Sequence, residues 1–286
     1  MSKGKSEGII AVRKLNSHKG DYGHVFILAG SAGLTGAAYL TSCASLLSGS
    51  GLVTLGIPKS LNAIMEVKLS EVMTKPLEET KDLCLSLRAL GQIKRILPGV
   101  DALAIGPGLS GNQQSRQLVR KLLPFLTTPA VLDADGINAL VGKLKVFCNL
   151  KCKLVITPHP GELARLLKLK VAEIQKNRAK IARGFAKKYN LVVVLKGQRT
   201  VVANEGGEVY INDTGNPGMA SAGCGDVLTG IIASFLGQGF NSFTAAKLAV
   251  YLHGLAGDYA ARKKGESSLI ASDILNNLPQ AFRAIA

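Results

Sequence analysis

Short runs of apolar and β-branched residues recur along this chain at 24–29, 51–57, 102–105, 130–133, 154–157 and 191–196. Each is closed by glycine or proline within a few residues, and each is followed by a longer stretch of helical pattern. Most of these runs lack the polar alternation of a strand that faces water on one side. Continuous apolar strands are expected where both faces of a sheet are covered, as in a parallel sheet. Strands that alternate with helices imply βαβ units and an α/β fold, with helices on both faces of a mostly parallel central sheet. The rhythm changes near residue 200. Runs at 200–203 and 208–211 flank Asn204-Glu-Gly-Gly207, a hairpin signal that adds a small antiparallel edge. From Asp226 onward the pattern is helical, with further stretches at 243–261 and 271–285. No linker, repeat or low-complexity tract interrupts the chain. It reads as a single domain over 1–286, with 1–17 as an N-terminal extension and ample material for a core.

Ligands of such sheets bind beyond the carboxyl ends of the strands, and the glycine- and proline-rich motifs of this chain fall there. The most telling is Asn216-Pro-Gly-Met-Ala-Ser-Ala-Gly223-Cys224-Gly225-Asp226, which runs straight into a helical pattern of Val227, Leu228, Ile231, Ile232 and Phe235. A glycine loop entering a helix aims unpaired N–H groups and the positive end of the helix dipole at one point, forming an anion hole from Gly223, Cys224 and Gly225. A carboxylate at its lip would repel a passively bound anion. Asp226 suits a base that takes the proton of a hydroxyl attacking a phosphoryl group held by the loop. The plain alternative is a first-turn acid that complements the dipole.

Four other motifs sit at strand ends. Gly30-Ser-Ala-Gly33-Leu-Thr-Gly36 lacks the lysine and hydroxyl of a Walker A loop, so it is either a ligand turn or a close helix–strand contact. Gly106-Pro-Gly108-Leu-Ser-Gly111 matches the dinucleotide fingerprint G-x-G-x-x-G, and Asp133 follows after about 20 residues, where a ribose-binding acid is expected. However, that motif follows the third expected strand rather than the first, and it contains a proline. In Thr157-Pro-His159-Pro-Gly-Glu162 the two prolines fix the turn and present His159. Glu162 either caps the next helix or holds a water-coordinated Mg²⁺. Lys196, Gly197, Gln198, Arg199 and Thr200 form a cationic strand end with a glycine turn, suited to nucleotide phosphates.

Lys and Arg number 35 against 19 acids, a net charge of +16. Such a balance attracts polyanions, yet the basic residues are scattered, tryptophan is absent and aromatics are only 5%. No nucleic-acid footprint results. The five cysteines are odd in number and irregularly spaced, which points to reduced thiols in the cytoplasm. The apolar run at 9–12 is too short for a signal peptide, and no run reaches the length of a membrane span.

Taken in order, these motifs, together with His18-Lys-Gly-Asp-Tyr-Gly23, Gly49-Ser-Gly-Leu-Val53 and Asp133-Ala-Asp-Gly-Ile-Asn138, resemble the ADP-dependent NAD(P)H-hydrate dehydratase family, over nearly the whole chain. The resemblance implies a ribokinase-like fold. It also implies a repair reaction in which hydrated NADH or NADPH (NADHX or NADPHX, S epimer) loses water as ADP is cleaved to AMP and phosphate. Ala38, Gly108, His159 and Asp226 would contact the hydrated dinucleotide. Lys196, Gly197, Gln198, Arg199, Thr200 and Gly225 would contact the adenine nucleotide, with Mg²⁺ assisting. A homotetramer is implied, with no membrane or nucleic-acid partner. Cys224 departs from the family pattern, which usually has a small hydroxyl residue there. The fused forms' epimerase domain has no counterpart in these residues, so action on one epimer only, or dependence on a separate epimerase, is expected. The alternative is a small-molecule kinase of the same superfamily, of the hydroxymethylpyrimidine- or sugar-kinase type.

Overall fold

The computed structural model describes residues 15–285. Residues 1–14 of the expected N-terminal extension lie outside the described residues. Among those described, the strands are β1 (His24–Leu28), β2 (Leu52–Pro58), β3 (Met73–Leu77), β4 (Ala102–Ile105), β5 (Ala130–Leu132), β6 (Leu154–Ile156), β7 (Val192–Leu195), β8 (Val201–Ala203) and β9 (Val209–Ile211). They form one sheet in the order β3-β2-β1-β4-β5-β6-β7-β8-β9. From β3 across to β7 every pairing is parallel, whereas β8 is antiparallel to both β7 and β9. The six expected buried strands and the antiparallel edge are thus present. β3 is an addition that the hydrophobic pattern did not reveal.

The helices are α1 (Thr35–Leu47), α2 (Asn62–Lys68), α3 (Leu90–Ile96), α4 (Gln113–Leu122), α5 (Ala134–Asn138) and α6 (Pro160–Leu167). They continue with α7 (Val171–Lys176), α8 (Arg178–Tyr189), α9 (Cys224–Gly237), α10 (Ser242–Lys264) and α11 (Ala271–Arg283). Alternation along each strand sends neighbouring side chains to opposite faces. Val25 and Ile27 enter a core built with α1, α2, α9, α10 and α11, whereas Phe26 and Leu28 enter a second core built with α3 to α8. The result is three layers, helices on each side of the sheet. No helix among the described residues is long and apolar enough to cross a membrane.

The hairpin β8–β9 has a topological consequence. The chain rises in β7, descends in β8 and rises again in β9, so it re-emerges at the carboxyl end of the sheet before the 212–223 loop. That loop then crosses to the centre, where α9 packs on β4, β5 and β1 and against α1 and α10. Val227, Leu228, Ile231, Ile232 and Phe235 are all buried, as are Thr229, Gly230 and Ala233 between them. Burial of the five large side chains contributes on the order of 10 kcal/mol before chain entropy is charged against it. From Val227 to Leu236 this helix is buried on every side.

Candidate active site

α9 opens on Gly223, at φ +90° and ψ −17°, with no side chain capping it. That left-handed conformation favours glycine. An added Cβ would also meet Leu40 Cδ1 at 2.6 Å. The N–H groups of Asp226 and Val227 fold back onto the Gly223 carbonyl, at 3.0 and 3.2 Å. Those of Cys224 and Gly225 have no intrahelical acceptor and point outward from the helix end. A Cβ on Gly225 would come within 3.1 Å of Lys196 Nζ, so the glycine lets the ammonium approach the first turn. The Cys224 thiol is buried, 3.8 Å from the Ser221 hydroxyl, and burial pushes it up. Cys224 therefore contributes backbone atoms to the turn.

Asp226 occupies the first turn of this helix, and its carboxyl is raised to about 7. Burial is the main cause, followed by repulsion from Asp133; Lys196 opposes the shift and Asp135 adds to it. A carboxyl poised near neutrality fits a general base.

Beside it lies a buried polar cluster. Asp133 is 1% exposed and follows β5 directly, at the start of α5. Its Oδ1 accepts from Lys196 Nζ at 2.7 Å and from the Thr157 hydroxyl at 2.7 Å. Its Oδ2 accepts from the Thr229 hydroxyl at 2.9 Å, and that hydroxyl also lies 3.0 Å from the Gly225 carbonyl. Four segments distant in sequence therefore meet on one carboxylate. Burial alone would lower the Lys196 ammonium, but Asp133, Glu162 and Asp226 outweigh it and the shift is upward. This arrangement corrects the dinucleotide-fingerprint reading of Asp133. A carboxylate enclosed by a lysine and two hydroxyls has no free edge for a ribose, and Gly106-Pro-Gly108 follows β4 instead of opening the sheet.

The other motifs gather at the same end. The Lys196 N–H donates to the Pro158 carbonyl at 2.9 Å, tying the nucleotide-type loop to the proline turn. Gly197, Gln198 and Arg199 are exposed, and the Thr200 hydroxyl donates to the Gly197 carbonyl at 2.9 Å. Gly108 is held by the Ser31 hydroxyl, which donates to its carbonyl at 2.8 Å, so the two glycine turns are clasped together. Ala38 is fully buried against the first of these turns. His159 caps α6. Its Nδ1 accepts from the N–H of Gly161 at 3.0 Å and of Glu162 at 3.4 Å, and Glu162 Oε2 accepts the His159 N–H at 2.8 Å. Of the two roles open to Glu162, capping is the one the structure displays.

Three contributors had no sequence signal. Arg178 in α8 donates to the carbonyls of Leu195 at 2.9 Å and Lys196 at 3.3 Å, shaping the loop from below. Asp258 in α10 accepts from the Gly215 N–H and the Asn216 amide, both at 3.0 Å, anchoring the 212–223 crossing. His253, one turn earlier in α10, donates from Nε2 to the Cys224 carbonyl at 2.9 Å. Burial lowers this imidazole to about 4, so it stays neutral under the site. Two surface hollows, of about 520 and 250 Å³, lie beside Phe125 and Leu166 and include none of these residues.

Comparison with known proteins agrees with this geometry. A family model described as NAD(P)H-hydrate dehydratase matches residues 25–280. The bifunctional NAD(P)H-hydrate repair enzyme of Moorella thermoacetica is 49% identical over 95% of this chain and 51% of its own length. The chain thus spans about half the length of the bifunctional relatives it matches. The ADP-dependent (S)-NAD(P)H-hydrate dehydratase of Neisseria meningitidis is 36% identical over 93% of this chain and 87% of its own. Among solved structures, the ADP/ATP-dependent NAD(P)H-hydrate dehydratase of Bacillus subtilis, co-crystallised with ATP and Mg²⁺, superposes with a TM-score of 0.84. It is 31% identical, covering 96% of this chain and 94% of the other. With its ribokinase-like sheet and ordered strand-end motifs, the chain belongs to the NAD(P)H-hydrate dehydratase family.

Proposed function

We propose that this chain restores (S)-NADHX and (S)-NADPHX to NADH and NADPH, driven by cleavage of ADP to AMP and phosphate. The observation that carries this reading is a carboxyl poised near pH 7, Asp226, beside an uncapped helix end and a lysine. Hydroxide is a poor leaving group. Transfer of the β-phosphoryl group to the ring hydroxyl makes the leaving group phosphate. In that step the ring oxygen bonds to phosphorus, the bond to AMP breaks, and Asp226 takes the hydroxyl proton. The N–H groups of Cys224 and Gly225 and the Lys196 ammonium receive the charge that develops on the phosphoryl oxygens. The ring nitrogen's lone pair then expels phosphate, and the adjacent ring carbon releases its proton.

In this reading Lys196, Gly197, Gln198, Arg199, Thr200 and Gly225 hold the adenine nucleotide, while Ala38, Gly108, the half-exposed His159 and Asp226 contact the hydrated dinucleotide. Asp133, Glu162 and Asp226 all act on Lys196, but among the described residues no cluster of acids or histidines is arranged to hold a metal ion directly, so Mg²⁺ would depend on water and on the nucleotide's own phosphates. Glu162 would hold Mg²⁺ through water, and the ion would supply positive charge to offset the negative charge of the nucleotide phosphates. The active assembly is a homotetramer, which light scattering checks. Incubation of each epimer of NADHX and NADPHX with ADP, and separately ATP, tests the activity through recovery of the reduced-nicotinamide absorbance. Recovery with the S epimers is expected. No recovery with either nucleotide overturns the reading in favour of a small-molecule kinase.

A further inference from the structure

We infer that Asp133 is a positioning residue, a buried carboxylate that docks the Lys196 ammonium at the first turn of α9. This inference rests on the proposed phosphoryl transfer at that turn. Lys196 alone is a flexible four-carbon stem with three donors and no intrinsic direction. In this structure one donor is committed to Asp133 Oδ1 at 2.7 Å, and the same ammonium stands where a Cβ on Gly225 would crowd it at 3.1 Å. Asp133 is itself immobilised: Thr157 holds one oxygen, Thr229 holds the other, and both hydroxyls belong to elements that frame the site. Thr229 also contacts the Gly225 carbonyl, so the lysine and the helix end are fixed relative to one another through a single side chain. With one donor anchored, two remain for the phosphoryl group in the proposed transfer.

The carboxylate has a second effect, on Asp226. The charged groups facing Asp226 are Asp133 from the end of β5, Asp135 from α5, Lys196 from the end of β7, and the Cys224 thiol on its own helix. His253 reaches Lys196 from α10 but is neutral. Removing the Asp133 charge takes away a group that raises Asp226 and leaves Lys196, which lowers it, uncompensated. The base then ionises at lower pH.

The test is Asp133→Asn. ADP binding by calorimetry is expected to stay unchanged or to tighten, because a negative charge near the phosphates is lost, while kcat falls about a hundredfold because the ammonium stays beside the turn but loses its fixed direction. The acid limb of the pH profile moves down by roughly one unit. Lys196→Met moves the limb the opposite way, and in that background Asp133→Asn removes little further rate, since the two residues act as one device. Thr229→Val, which releases one carboxylate oxygen without altering charge, gives the same kcat-against-binding split more weakly and serves if Asp133→Asn does not fold. A carbon-NMR titration of the Asp226 carboxyl in the ligand-free protein, assigned with Asp226→Asn, reads the downward shift without turnover. If the wild type fails to turn over NADHX, that arm still decides the role of Asp133 by itself. Parallel loss of binding and rate, an unmoved limb, or full additivity with Lys196→Met overturns the inference.

Discussion

Two helices begin at the same end of the sheet, both after proline- and glycine-rich turns, and their first turns have opposite fates. α6 is closed: the His159 ring accepts two of its N–H groups, and the Glu162 carboxylate folds back on the His159 N–H. α9 is open: its cap is a glycine, no side chain accepts its leading N–H groups, and the acid in its first turn is held near neutrality instead of engaged in a capping box. Both ends carry the same dipole and an acid three positions after the cap. What distinguishes a ligand-binding helix end from a structural one is whether the protein's own side chains have already satisfied it.

Asp226→Asn should produce the largest effect. Turnover falls by about a thousandfold in a steady-state assay while nucleotide affinity holds. The same substitution should stabilise the fold at alkaline pH. The native carboxyl is raised from 3.8 to about 7, so the folded state retains a proton that the unfolded chain releases. Stability from this group is present at acid pH and declines as pH rises from about 4 to 7. Asparagine should therefore raise stability at pH 8 by on the order of 3 kcal/mol, and leave it nearly unchanged at pH 4, in urea titrations.

Gly225→Ala is expected to push the Lys196 ammonium off the open turn, weakening ADP binding about tenfold in calorimetry. His253→Ala leaves the Cys224 carbonyl without its donor and should lower stability by about 2 kcal/mol at neutral pH. Here the sign reverses. The imidazole is depressed from 6.5 to about 4, so the wild type loses stability as pH falls through that window, and the variant's denaturation midpoint should show a flatter acid limb.

The smallest effects belong to the closed end. His159→Ala should lower stability by about 1 kcal/mol through the lost cap, and His159→Asn should recover it. If the ring also faces the hydrated dinucleotide, both variants raise the KM for NADHX several-fold without changing that for ADP. A rise in the KM for ADP would show that α6 is a phosphate site after all, and would erase the contrast with α9.

The buried strands were legible because their apolar runs are uninterrupted, and the open turn because glycines crowd before a lone acid. β3 escaped notice for a physical reason. Met73-Thr-Lys-Pro-Leu77 is an edge strand with one buried side chain, so neither apolar run nor alternation marks it, and Pro76 is tolerated where one ladder side is free. Asp133 was legible as an acid at a strand end, but its partner lies 63 residues away. Spacing suggested a ribose ligand; only tertiary contact reveals the lysine. The prolines predict a presented His159, whereas a histidine ring serving as a helix cap has no pattern to betray it. Ala38 lies inside the core because the adjacent glycine turn needs a small neighbour. His253 sits within a long helix like any other polar residue.

One contact remote from the candidate site bears on where Asp226 stands. Gly230, a turn beyond Asp226, lies so close to α1 that a Cβ there would meet the Thr41 carbonyl at 2.3 Å. Backbone against backbone, α9 is indexed to α1 along its axis, and the height of Asp226 above the sheet is read from that contact. A methyl group at Gly230 would lift the whole rod and detune the proton acceptor without touching a ligand. The alignment of Asp226 is thus a property of the protein's interior rather than of the exposed loops around the site.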